Sequence, residues 1–176
     1  MFYSKSTGGF YDRAIHSDNI PADAVEITEA EHAALIEGQS QGKRIVADGN
    51  GFPILVDPPK PTAADIWEKI KAERDRRMVG GVKVGAKWFH SDDSSRIQQM
   101  GLVMMGASIP ANLQWKTMDG SFITMTQALA SQVFQAVAAS DQAVFTVAEQ
   151  HKAAMEASAD PSTYDFSTGW PKIYGE

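Results

Sequence analysis

The spacing of hydrophobic and polar residues changes period several times along this chain. Aromatic-containing runs between Phe2 and Ile15 flank Thr7-Gly8-Gly9, which predicts a hairpin because glycine accepts the positive φ of a tight turn. Ile20-Pro21 breaks the pattern, and Val25-Glu26-Ile27 is a short alternating strand. Thr28 followed by Glu31 has the spacing of a capping box, and Ala33, Ala34, Leu35 and Ile36 carry a short helix to a stop at Gly38. The runs Lys43–Ala47 and Phe52–Val56 flank Asp48-Gly49-Asn50-Gly51, a second hairpin turn.

Three prolines within Asp57–Pro61 can neither continue a helix nor pair inside a sheet, so a domain boundary is expected there. Beyond it Thr62 caps a helix, with Asp65 as box partner, an apolar stripe at Ile66, Trp67, Ile70 and Met78, and i,i+4 pairs Lys69/Glu73 and Glu73/Arg77. Gly80-Gly81 ends it. Val82, Val84, Ala86 and Trp88 then alternate with Lys83, Gly85 and Lys87, predicting one half-buried strand from Val82 to Phe89. Ser91, Asp92 or Asp93 caps the next helix. Ile97, Met100 and Met104 form one of its faces, and Leu102, Val103 and Met105 make it apolar nearly all round, so burial on several sides is expected as far as Gly106. Asp119-Gly120 between Leu113–Met118 and Ser121–Met125 predicts another hairpin. From Thr126 to about Ser158 a long helix follows, with Leu129, Val133, Val137, Val144 and Ala148 at helical spacing and Ser140-Asp141 as the place where it could break. Its low charge suggests cover on more than one face, by the strands or by a second subunit. The closing segment carries Tyr164, Phe166, Trp170 and Tyr174 and is expected to dock.

The predicted class is α+β. Residues 1–56 form a small β-rich module with one short helix, 57–61 a proline-rich linker, 62–158 a module of three helices with a strand and a β-hairpin, and 159–176 an aromatic tail.

Composition removes several kinds of function. With 43% hydrophobic and 22% charged residues the balance is that of an ordinary soluble protein. A formal charge of −6 argues against nucleic acid and anionic membrane as partners. The basic cluster Arg74, Arg76 and Arg77 alternates with Glu73 and Asp75 and reads as a solvated helix face. No apolar run approaches the roughly 20 residues needed to span a bilayer, and the amino terminus lacks the pattern of a signal peptide, so no membrane insertion is expected and the protein should stay in the cytoplasm. There is no cysteine, and no two of the four histidines have the spacing of a zinc site. Neither metal nor cofactor is expected.

Candidate chemistry is sparse. His90, Asp92 and Asp93 could form an acid–base or metal cluster with Ser94 and Ser95 nearby, but a strand end followed by a helix cap accounts for them, and neither serine has a glycine elbow. Asp48-Gly49-Asn50-Gly51 lacks the spaced carboxylates of a calcium loop. Gly80, Gly81 and Gly85 fit no phosphate-binding fingerprint. The methionines Met100, Met104 and Met105 read as core before groove. Binding is therefore favoured over catalysis.

Taken whole, the chain resembles the tail fibre assembly chaperones of tailed bacteriophages and prophages. The likeness is carried by MFYSKSTGGFYDRAIH through EGQSQGK to the DPP exit, and in the second module by GGVKVGAKWFHSDDSSR, NLQW and DGSFITMT; Gly169-Trp170-Pro171 matches a tryptophan–proline ending in the family. The second module differs from that of the best-known members. The resemblance implies a protein that is not an enzyme, works in the host bacterial cytoplasm, binds the carboxy-terminal region of the receptor-binding tail fibre through its amino-terminal module, and promotes fibre folding and trimerisation. It also implies self-association through the second module and, in some members, retention at the fibre tip. Phe10, Tyr11 and Phe52, beside the two amino-terminal hairpins, are the candidate fibre-binding residues; ordinary core of a small β module is the alternative for each. Competing readings are a structural accessory protein of the virion and, less favoured, a small hydrolase using His90 and Asp92.

Overall fold

Phe2–Ser4 (β1) is short, but it is paired on both sides. It runs antiparallel to Gly9–Tyr11 (β2) and to Ala24–Glu26 (β3), giving the order β2-β1-β3. Arg13–His16 (α1) and a 3-10 turn at Ser17–Asn19 lie between β2 and β3. The computed structural model describes residues 1–176. The protein is α+β, with five α-helices and small antiparallel sheets, and it divides into two compact units, Met1–Lys60 and Pro61–Glu176.

In the first unit the Asp23 carboxylate stitches the loop to β1. It accepts from Ser4 Oγ at 2.9 Å, Ser6 N at 2.9 Å and Ser6 Oγ at 3.0 Å; the Ser6 N–H first of all lowers its pKa. Thr28 and Glu31 close a reciprocal capping box that starts Glu29–Ser40 (α2). Gly38 does not stop this helix, because it is a packing site: a Cβ there would overlap the Leu55 side chain. Leu55 belongs to Pro53–Val56 (β5), which pairs antiparallel with Arg44–Ala47 (β4). The core of the unit is Tyr3, Ile27 and Leu35, rimmed by Met1, Phe10, Val25, Ile45, Ala47 and Leu55.

In the second unit Thr62 and Asp65 make the same reciprocal box at the start of Ala63–Met78 (α3). The strand expected over Val82–Phe89 is instead a hairpin of Val82–Val84 (β6) and Lys87–Phe89 (β7), so this unit holds two hairpins and not a strand and one hairpin. Gly85, at φ +59, supplies the positive φ of the two-residue turn. The sequence alternation hides this, because it continues unbroken through the turn while the turn itself reverses which residues share a face. Fully buried Phe89 comes opposite Val82, and Trp88 lies opposite Lys83.

Asp92 caps Asp93–Met105 (α4), accepting from Ser95 N at 3.1 Å, Ser94 Oγ at 2.6 Å and Ser95 Oγ at 2.8 Å. These bonds, that of Ser94 first, hold its carboxyl far below the usual range. Contrary to the expectation of burial on several sides, α4 fully buries only Gln99 and Leu102, while Ile97 is 66% and Met104 80% exposed. The inward position a core residue would take at Gln99 is used to donate to the His90 carbonyl at 2.7 Å.

Gln114–Lys116 (β8) and Phe122–Thr124 (β9) form the hairpin around Asp119-Gly120. It is tied to the β6–β7 hairpin by Lys87 Nζ donating to Asp119 at 2.7 Å and by Met118 N donating to the Trp88 carbonyl at 2.9 Å. Gln127–Glu156 (α5) is one unbroken helix of 30 residues, about 45 Å long. It carries two cores in succession. Ala130, Val133 and Val137 pack with Val82, Phe89, Leu102 and Met125, and Val144, Ala148 and Met155 pack with Ile66, Ile70 and Trp170.

The final residues fold back on α3. Ile173 fills the space above Gly80, and Tyr174 N donates to the Gly80 carbonyl at 2.9 Å. Arg77 is buried, not solvated: it donates to Glu73 at 2.5 Å, the Pro171 carbonyl at 2.6 Å and Glu176 at 3.1 Å, with its guanidinium 5.6 Å from the Trp170 ring centre. No helix is long and apolar enough to cross a membrane.

Gly81 combines φ +92 with a close approach, since a Cβ would overlap Met118 Sδ and lie 3.1 Å from the Phe89 carbonyl oxygen. Gly81→Ala is expected to cost about 2–4 kcal/mol, from left-handed strain and from displacing Met118, or roughly 5–15 °C in Tm. Gly85→Ala has strain without a neighbour within 4 Å and should cost less than half as much; equal losses in thermal unfolding would contradict this account. Folding lowers the pKa values of Asp65, Glu73, Asp92 and Asp119. Their contribution to stability is thus complete above the ordinary carboxylate pKa of about 4 and is lost as pH falls below it. Tm should decline on acidification below about pH 4, and Asp92→Asn, which keeps a capping side chain without the charge, should flatten that decline.

Candidate functional site

The residues with potential for chemistry are occupied by the fold. All the capping capacity of Asp92 goes to Ser94 and Ser95. Ser91 is buried, donating to the Met78 carbonyl at 2.7 Å and accepting from Gly81 N at 2.9 Å. His90 lines an open depression with Ser95, Gln98, Trp115 and Phe122. No group of three or more His, Asp or Glu side chains is placed to hold a metal ion.

The three candidate binding residues occupy different settings. Phe10 faces inward from β2 beside Tyr3, its ring 5.2 Å from that of Tyr3 and 4.6 Å from that of His32. Tyr11, the next residue of the strand, points to the other face, where its hydroxyl donates to Thr7 Oγ1 at 3.0 Å and its ring lies 5.1 Å from His16. Phe52 follows the β4–β5 turn and is 46% exposed. Phe10 thus serves the rim of the core, whereas Phe52 is open to a partner.

Around Phe52 the structure forms a groove of about 300 Å³. One wall is Phe52, Pro53, Ile54 and Leu55; the other is Glu31, Ala34 and Leu35 of α2, and Ile27 also lines it. Helical spacing of i, i+3 and i+4 puts the three α2 residues on one face, and Ile54 joins Phe52 as an exposed apolar side chain. Glu31 is held in place by Thr28, whose N–H and hydroxyl donate to its Oε2 at 2.7 and 2.8 Å. These bonds, the backbone N–H first, lower its pKa and keep it charged. In the sequence Glu31 and Ala34 read only as cap and helix residues, and neither they nor Ile54 read as part of a binding surface. The signal available for Ile54 was its i,i+2 spacing from Phe52, the residue that precedes β5; Glu31 and Ala34 carried no such signal.

A second apolar surface lies on the other unit, where Ile97 and Met100 of α4 and Phe134 and Ala138 of α5 border an open cavity of about 240 Å³. The methionine-bearing face of α4 is therefore surface, not core. From Ile97 to Trp115 there is no charged residue. Both surfaces suit protein contact, in which apolar groups with few charges form the centre.

A probable tail fiber assembly protein of Shigella phage SfV is 52% identical over 61 residues, a segment covering 35% of this chain and 36% of that relative. The chain thus matches about a third of that protein's length. No solved structure matches. Residues 61–168 match the model of a family described as a domain of unknown function, DUF4376. With that match spanning more than half of its length, the chain belongs to the DUF4376 family and resembles tail fibre assembly proteins, as the motifs of its sequence indicated.

Proposed function

We propose that this protein is an assembly chaperone of a phage tail fibre, binding the carboxy-terminal region of the receptor-binding fibre and promoting its folding and trimerisation. The observation that carries the reading is the 52% identity to a protein named for tail fibre assembly. The physics of the task is compatible with it. A fibre trimer in the making exposes strand edges and apolar patches, which aggregate unless covered. The first unit offers two small sheets with open edges and an apolar groove. In this reading it is the fibre-contacting module, with Tyr11 and Phe52 in the contact and Phe10 at its supporting edge. The apolar α4–α5 surface of the second unit, bordered by the paired Arg96 and Asp141, serves self-association. The work takes place in the host bacterial cytoplasm and uses no catalytic residue.

Co-expression of the cognate fibre with this protein should raise the yield of soluble trimer, measured by size-exclusion chromatography with light scattering; an unchanged yield overturns the reading. Mass spectrometry of purified particles separates a transient chaperone from a protein retained on the virion. Phe10→Ala should lower the Tm of the protein, because it removes a ring from the core rim. Phe52→Ala should leave Tm within about 2 °C, as expected for an exposed position, while reducing fibre capture.

A further inference from the structure

The groove beside Phe52 has a geometry that specifies the form of its ligand. Phe52, Pro53, Ile54 and Leu55 are consecutive and all line it. Successive side chains of a strand point to opposite faces, so a groove touching all four runs along the edge of β5 and not over one face of the sheet. That edge is open, because β4 and β5 form a two-stranded sheet.

The register shows which backbone groups the edge presents. Asp48 N donates to the Phe52 carbonyl at 2.8 Å, which makes 48 and 52 a hydrogen-bonded pair. Pairs alternate along an antiparallel ladder, so with Ala47 opposite Pro53 and Ile45 opposite Leu55, residues 53 and 55 turn their backbone groups outward. Pro53 has no N–H to leave without a partner, which suits a proline to this position. The free edge therefore offers the Pro53 carbonyl and both the N–H and the carbonyl of Leu55.

We propose that an extended segment of the partner chain adds to β5 as a third strand, lying between that edge and the Glu31–Ala34–Leu35 face of α2. This rests on the reading that the first unit binds the fibre, and it names the surface and the ligand. The ligand is a β-prone segment with apolar side chains toward Phe52, Ile54 and Ala34 and a Lys or Arg toward Glu31. Backbone bonding supplies affinity, and the side-chain contacts supply selection. Both bonds from Thr28 go to Glu31 Oε2, which leaves Oε1 to accept from the ligand's cation. The first 60 residues carry nine Asp and Glu against five Lys and Arg, so the surroundings of the groove also favour a basic segment over an acidic one.

The test uses the full-length chain co-expressed with its fibre. Ala34→Arg, which blocks the helix wall, and Ile54→Lys, which places a cation in the groove, should each cut captured fibre by about tenfold or more, the effect of losing a central contact. Ile36→Arg, on α2 but outside the groove, should leave capture within about twofold. In the complex, amide exchange at Leu55 should slow by at least about tenfold, because the N–H gains a ladder hydrogen bond. Wild-type capture with an unchanged Leu55 amide, or undiminished capture by both groove variants, overturns the strand-addition proposal and leaves the chaperone reading standing. Leu55 protection in the isolated chain that grows with concentration assigns the edge to a second copy and also overturns it. Absence of fibre capture by the wild-type chain removes the chaperone reading, and the proposal with it.

Discussion

Three helices of the second unit are tied to one another at one guanidinium. Arg96, in the first turn of α4, donates to the Met78 carbonyl at the end of α3 at 2.8 Å, to the Ser91 carbonyl at 2.5 Å, and through two nitrogens to the carboxylate of Asp141 in the middle of α5. Only arginine has the planar fork of donors that serves three acceptors in different directions. The charge also sits at the carboxy-terminal end of α3, where the helix dipole favours a cation. Asp141 further raises the pKa of the guanidinium. Loss of Arg96 would remove the polar tie between three helices that otherwise meet through their apolar cores.

This clamp explains why α5 continues through Ser140-Asp141. In isolation that pair reads as a place to break a helix, since short polar side chains compete for the backbone. In the folded unit the aspartate has a better partner in Arg96, and the helix around it joins two cores that would otherwise be separate. Arg77 plays a related part at the carboxy terminus. It gathers Glu73, Glu176 and the Pro171 carbonyl under Trp170, and so the aromatic tail becomes part of the unit's core.

Neither unit concentrates reactive groups. The strongly lowered carboxylates, Asp92 and Asp119, owe this to hydrogen bonds, from Ser94 and Ser95 where α4 is capped and, for Asp119, from Lys87 first and then from Thr117 and Ser121 of its own hairpin. What the fold leaves available is apolar surface: Phe52 and Ile54 beside an open strand edge, and Ile97, Met100 and Phe134 on two adjacent helices. Surfaces of this kind suit a partner that is itself incompletely folded, because strand edges and apolar side chains are what such a partner has to satisfy.

Local chemistry was legible in the sequence wherever a few neighbouring residues decide the outcome. The capping boxes at Thr28/Glu31 and Thr62/Asp65 and the hairpins at Asp48–Gly51 and Asp119-Gly120 are of this kind, since each is satisfied by atoms within a few positions along the chain. Other outcomes depended on residues far away in sequence. Only the tertiary structure shows that Gly38 marks a close approach to Leu55, that Arg77 is buried, and that the apolar face of α4 looks outward. The turn at Gly85 leaves no mark in the pattern, because a two-residue turn preserves alternation while exchanging the faces. For the candidate site, sequence alone pointed to Phe52, but not to Glu31 or Ala34 across the groove. Spacing along one element reveals which residues share a face; which other element meets that face is decided by packing, and no local pattern encodes it.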